Sequence, residues 1–114
     1  MHDVARIISK FRKEADVDFI ELPHIASAVQ YGLGLRSQQE IRHYALEVVR
    51  GLMARGVYPG DYTLESLARE GFQFWPGEPD RLLKRIEADW ISLGKMPDLE
   101  HSICWFALRS AEVV

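Results

Sequence analysis

Gln38, Gln39, Arg42, His43 and Arg50 fall on one side of the stretch RSQQEIRHYALEVVRG once it is wound as a helix. These side-chain types suit reading base edges, because glutamine can pair with adenine and arginine with guanine. Arg55 and the Pro59-Gly60 turn, just beyond, are placed to approach a phosphate backbone. The charge balance opposes this chemistry. From Arg36 to Arg55 four arginines face two glutamates, but the whole chain of 114 residues carries a net charge of -3. Nucleic-acid binding draws much of its strength from several phosphate contacts, which need a concentrated basic face or a dimer.

A second chemistry lies downstream. Between Gly56 and Glu100 nine acidic residues outnumber five basic ones, interleaved with Tyr58, Tyr62, Phe72, Phe74, Trp75 and Trp90. Aromatic anchors with acids around them suit a basic protein partner, the acids steering the encounter and the rings supplying buried area. The candidate contact residues are Asp61, Glu65, Glu70, Trp75, Glu78, Asp80, Glu87, Asp98 and Glu100. The competing account of the acids is a solvated surface. Trp90 points inward on its helix, whereas Trp75 and Trp105 suit either a core or an interface.

Catalytic and metal motifs are missing. His2, His24, His43 and His101 form no His-Glu-x-x-His or other ligand spacing. There is no phosphate loop, dinucleotide fingerprint or nucleophile elbow, and Gly32-Leu33-Gly34 is only a fragment of one. In the acidic helix, Glu87 and Asp89 stand at i and i+2 and do not share a face, whereas Arg85 and Asp89 at i and i+4 can support each other. The expectation is a binding protein without cofactor, not an enzyme. Cys104, the single cysteine, cannot form an intrachain disulfide and fits a small buried position between Ile103 and Trp105. The early charges Asp3, Arg6, Lys10, Arg12 and Lys13 exclude an ordinary signal peptide, and no apolar run reaches a membrane span, so the expected location is the cytoplasm.

The elements that must hold these residues follow from periodicity. Val4, Ile7, Ile8 and Phe11 make an apolar stripe over residues 3–14. After the acidic connection Ala15-Asp16-Val17-Asp18, a second helix is expected to begin near Pro23 and to stop at Gly32 and Gly34. Ser37 is a candidate N-cap, with Glu40 completing a capping box, for a helix whose broad apolar face runs from Ile41 to Met53 and whose C-prime residue is Gly56. Val57–Tyr62 reads as a strand or extended run entering a Pro-Gly turn. Thr63–Gly71 reads as a short helix or as a loop with one helical turn. Phe72, Phe74 and Trp75 resume an extended pattern, and Pro79 opens a last helix with Leu82, Leu83, Ile86, Trp90 and Leu93 inside and Gly94 at its end. The dense run Ser102–Leu108 reads as a strand covered on both sides, or as one whose outer face meets a partner. Repeated strand-helix crossovers are absent, which argues against a parallel sheet. The expected architecture is a single α+β domain over residues 1–114 with about four helices and two or three short strands.

Two resemblances add to this reading. The segment IASAVQYGLGLRSQQEIRHYALEVVRGLMARG resembles a winged helix-turn-helix family in its small-residue helix, glycine turn and following helix. That resemblance implies a compact winged-helix-like domain, with Val57–Tyr62 as the wing, and a DNA-binding transcriptional regulator. The succession ALEVVRGLMARGVYPGD, GFQFW, RIEADWISLGKMPD and ICWFAL looks like a small bacterial family of immunity-like proteins, over roughly residues 40–108. Its anchors here are Gly56, Gly60, Asp61, Trp75, Ile86, Trp90, Gly94, Pro97, Trp105 and Phe106, and Asp98-Leu99-Glu100-His101 replaces the glycine-acid turn expected after Pro97. It implies a bacterial protein that binds and neutralises a toxin. Unused aromatics would serve a homodimer equally well.

Overall fold

The computed structural model describes residues 3–62 and 72–109. Thr63–Gly71, including Glu65 and Glu70, lies outside the described residues, as does His2. Along the chain the elements are α1 (Asp3–Glu14), β1 (Ile20–Glu21), α2 (Leu22–Gly32), α3 (Gln38–Met53), β2 (Val57–Tyr62), β3 (Phe72–Phe74), α4 (Pro79–Leu93) and β4 (Trp105–Leu108). The α+β class is as expected, but four strands replace the two or three read from the sequence. The additional strand is β1. Its two residues precede the helix expected near Pro23, and they form a strand because Ile20 pairs with Phe106 and Glu21 with Trp105.

Each helix forms where its apolar stripe and its end signals agree. Ile7 and Phe11 of α1 are buried, with Val4 and Ile8 packed against the same core. Helix α2 starts one residue before Pro23, which sits in the first turn where a missing amide costs least. Ser37 caps α3, its hydroxyl accepting from the amides of Gln39 (3.1 Å) and Glu40 (3.3 Å). The end of α3 differs from expectation. The helix stops at Met53 with Ala54 as C-cap, and Gly56 (φ 89°) stands one place beyond the expected C-prime position. The cause is a tightened last turn, in which Arg55 and Gly56 donate to the carbonyls three residues back, Leu52 and Met53. Helix α4 begins at Pro79 and closes on Gly94, whose φ of 75° lets its amide reach the carbonyls of Trp90 and Ile91.

The strands form one antiparallel sheet in the order β1-β4-β2-β3. Strand β4 is shorter than the run read from the sequence, because Ile103 adopts a φ of 67° and Cys104 donates back to the Ser102 carbonyl at 2.6 Å. That tight bend places Ser102 and Ile103 before the strand instead of in it. Pro59 lies inside β2, where its missing donor falls on the β3 side. Its carbonyl still accepts from Trp75 there (3.1 Å), and the β3 ladder goes no further.

Alternation along the paired strands separates the sheet into two faces. Ile20, Val57 and Phe106 point to the helices and share one core with Leu22, Ile25, Val48, Leu52, Ile86 and Trp90. Phe72 and Ala107 are also buried but do not belong to that core. They lie on the opposite face.

Candidate functional site

Two surfaces gather side chains able to recognise another molecule. The first is a groove of about 600 Å³ between α3 and α4, lined by Gln39, Arg42, His43, Leu46 and Arg50 of one helix and by Asp80, Leu83, Lys84 and Glu87 of the other, with Glu47 beside them. It joins residues from both readings of the sequence. Gln39, Arg42, His43 and Arg50 came from the base-reading set, and Asp80 and Glu87 from the acidic set. Three cationic side chains, Arg42, Arg50 and Lys84, stand among three carboxylates, Glu47, Asp80 and Glu87, so the groove has no strong field of either sign. Arg50 Nη1 donates to Asp80 Oδ1 at 3.0 Å, and His43 Nε2 lies 3.6 Å from Glu47 Oε1. Gln38 and Arg55 are exposed but do not line the groove.

Among the described residues, the remaining acids of the expected contact set lie apart from one another, save Asp98 and Glu100. Asp61 is exposed near the end of β2, and Glu78 is exposed at the N-cap of α4. Asp98 and Glu100 occupy the turn after α4. There Asp98 Oδ1 accepts from the amides of Glu100 (3.0 Å) and His101 (2.8 Å), and its other oxygen lies 3.3 Å from Lys95 Nζ. These bonds, with the His101 amide foremost, pull the Asp98 carboxyl down to about 2 against a smaller opposing desolvation. Its role in this turn is structural.

Trp75 is a correction to the expected contact set. It is 5% exposed and belongs to the helical core, with the Arg85 guanidinium 3.5 Å from the ring centroid. A chain segment leaving β3 toward α4 carries the indole inward, so it cannot serve as a surface anchor. Trp90 is buried as expected, at 1% exposure. Cys104 is fully buried, and burial holds its thiol well above the ordinary range, with the charges of Asp61 and Asp89 pushing the same way.

The second surface is the face of the sheet turned away from the helical core. Glu21 lies opposite Trp105, Trp105 opposite Gly60, Gly60 opposite Phe74 and Tyr62 opposite Phe72, and opposed residues share a face. Phe19 joins them, two residues before Glu21. Its ring centroid is 4.9 Å from Tyr62 and 5.0 Å from Phe72. Phe72 continues to Phe74 at 4.9 Å, and Tyr62 to Trp105 at 6.2 Å. Gly60 makes the cluster possible, since a Cβ there would strike the Gln73 carbonyl and come within 2.6 Å of the Phe72 ring. Further along the same face, the Arg109 guanidinium stacks 3.7 Å from the Tyr58 ring centroid.

Charge at this surface is acidic on the β1 side. Trp105 Nε1 donates to Glu21 Oε1 at 3.2 Å. Asp18 accepts from the Phe19 amide at 2.7 Å, and Asp16 and Asp18 are exposed beside Val17, itself 84% exposed. The sequence had shown Tyr62, Phe72 and Phe74 as part of an acidic and aromatic pattern, but Phe19, Glu21 and Trp105 join them only through strand pairing. The acid-apolar alternation of Asp16-Val17-Asp18-Phe19 breaks at Ile20-Glu21, so no local signal marks this strand.

Among the described residues no three His, Cys, Asp or Glu side chains are grouped to hold a metal ion, and no helix is long and apolar enough to cross a membrane. The chain matches no protein-family model, no curated protein and no solved structure.

Proposed function

We propose that this chain is a protein-interaction domain of the immunity type, which neutralises a basic bacterial toxin by covering it with the aromatic face of the sheet. The observation that carries the reading is the linked cluster of half-buried Phe19, Tyr62, Phe74 and Trp105 around the buried Phe72 on the face opposite the helical core, with Asp18 and Glu21 flanking Phe19. Rigid aromatic rings supply contact area at low entropic cost, and the surrounding carboxylates favour a cationic partner over an acidic one. Asp61, between Gly60 and Tyr62 in β2, has the opposite strand parity and lies outside this border. The reading needs no cofactor and no chemical step, and it places the activity in the cytoplasm, where an immunity protein would meet its toxin.

The test is growth protection. Co-expression with the product of a neighbouring toxin gene should restore growth, and purified proteins should form a salt-sensitive complex. Tyr62→Ser combined with Phe19→Ser should weaken that complex by at least about tenfold, as expected for loss of interface anchors. Unchanged circular dichroism would show that the variant still folds. Absence of both protection and complex formation would sink the proposal.

The second reading, a winged-helix DNA-binding regulator, draws support from the succession of α2, α3 and then the β2 and β3 pair. It is disfavoured by Asp80 and Glu87 beside the base-reading residues, since they would face the phosphates. Low-salt association with duplex DNA that falls on Arg42→Ala would restore it.

A further inference from the structure

We propose that Glu21, Tyr62 and Trp105, with Phe19 beside them, form a seat for one guanidinium group, supplied by an arginine of the basic partner. The inference rests on the protein-binding reading above and names the chemistry of its central contact. Glu21 and Trp105 are direct cross-strand partners, and the indole N–H to Glu21 Oε1 bond at 3.2 Å fixes the carboxylate and the ring relative to each other. An ionised carboxylate has about four acceptor positions, of which the indole uses one. Glu21 Oε2 lies 3.6 Å from His24 Nε2, and among the described residues no lysine or arginine side chain pairs with Glu21. Its side chain is 25% exposed, which leaves the carboxylate partly desolvated yet reachable.

The rings complete the seat. Tyr62 lies 6.2 Å from Trp105 between ring centroids, with the planes inclined at 46°, and Phe19 meets Tyr62 edge-on at 4.9 Å. A cation is attracted to such ring faces, and a carboxylate at their margin supplies the charge-assisted hydrogen bonds that orient it. Arginine suits this arrangement better than lysine, because its planar, weakly hydrated guanidinium can stack and bond bidentately at once. The molecule already uses that contact twice. Arg85 lies over Trp75 at 3.5 Å, and Arg109 lies over Tyr58 at 3.7 Å on the same face of the sheet. The Glu21 seat has the rings and the carboxylate and, among the described residues, no arginine over it.

The experiment is a titration of the full, ¹⁵N-labelled chain at pH 8 with N-acetyl-arginine methylamide, followed through the three tryptophan indole resonances. One side chain binding alone is weak, so half-saturation is expected at about 10 to 100 mM. The Trp105 indole resonance should shift saturably while those of the buried Trp75 and Trp90 stay in place. The isosteric, uncharged citrulline compound should shift it at least about fivefold less, as expected when the charge supplies the attraction. Glu21→Gln, which keeps an acceptor for the indole, and Tyr62→Leu should each abolish the saturable response without altering the rest of the spectrum. No Trp105 response, an equal response to citrulline, or an unchanged response in Glu21→Gln would overturn the seat. A seat that binds arginine in a chain that fails to protect against toxin would instead remove the function proposed above and leave the site.

Discussion

Arg50 Nη1 donates to Asp80 Oδ1 at 3.0 Å, and this pair joins the end of α3 to the first turn of α4. Both side chains are largely exposed, at 64% and 78%, so solvent screens the attraction. Asp80→Asn should therefore change unfolding free energy by less than about 0.5 kcal/mol in urea titration. A loss above about 1 kcal/mol would make the pair a structural tie, beyond the range of exposed ion pairs.

Gly60 lies under the Phe72 ring and against the Gln73 carbonyl. Backbone cannot retreat as a side-chain tip can, so Gly60→Ala should push β3 away from β2. The expected cost is about 1 to 3 kcal/mol, the range for overpacking a filled site. Denaturant unfolding measures it, and a loss of aromatic near-ultraviolet dichroism should accompany it. Unchanged stability would mean that the strands do not approach this closely.

Ile103 holds a φ of 67°, a conformation that a β-branched residue adopts only under strain. At ordinary positions alanine is more stabilising than glycine. Here the order should reverse, with Ile103→Gly more stable than Ile103→Ala by about 1 kcal/mol, since glycine pays no steric cost at positive φ. Equal or inverted stabilities of the two variants in thermal unfolding would refute the strain.

Asp98 gives a prediction in pH. Its carboxyl is pulled from 3.8 down to about 2, chiefly by the amide of His101 and with help from Lys95, the His101 ring and the Glu100 amide. A folded-state value below the unfolded one means that the unfolded chain binds more protons in this interval. The contribution is thus complete above about pH 4 and is lost as pH falls toward about 2. Carboxyl ¹³C titration should place the Asp98 midpoint near 2, and Asp98→Asn should flatten the acid limb of the stability curve. A midpoint near 3.8 would show that the turn does not hold the carboxylate.

The sequence made the helices legible because their information is local. Ser37 followed by a complete apolar stripe specifies α3, and Pro79 with Gly94 brackets α4. Strand β1 was not legible, since Ile20 and Glu21 carry no alternation of their own and are ordered by residues some 84 positions later. For the same reason the acidic and aromatic character of the second half was readable, but the surface that concentrates it was not. Phe19 and Glu21 lie between the acidic connection Ala15–Asp18 and the helix expected near Pro23, and only pairing with Trp105 sets them beside Tyr62. Trp75 shows the converse. Its spacing suited an anchor or a core residue alike, and only the direction in which the chain leaves β3 decides for the core.

The position of β4 between β1 and β2 also makes closure of the sheet depend on segments distant in sequence. The helices can close by contacts near in sequence, but β1 has no neighbour until Trp105–Leu108 arrives beside it. Bringing such distant segments together exacts loop-closure entropy before any pairing rewards it, which makes insertion of this last strand the natural kinetic bottleneck. A chain without β4 in place would have open strand edges at β1 and β2 with aromatic residues alongside. It is then most vulnerable to pairing with another unfinished copy of itself.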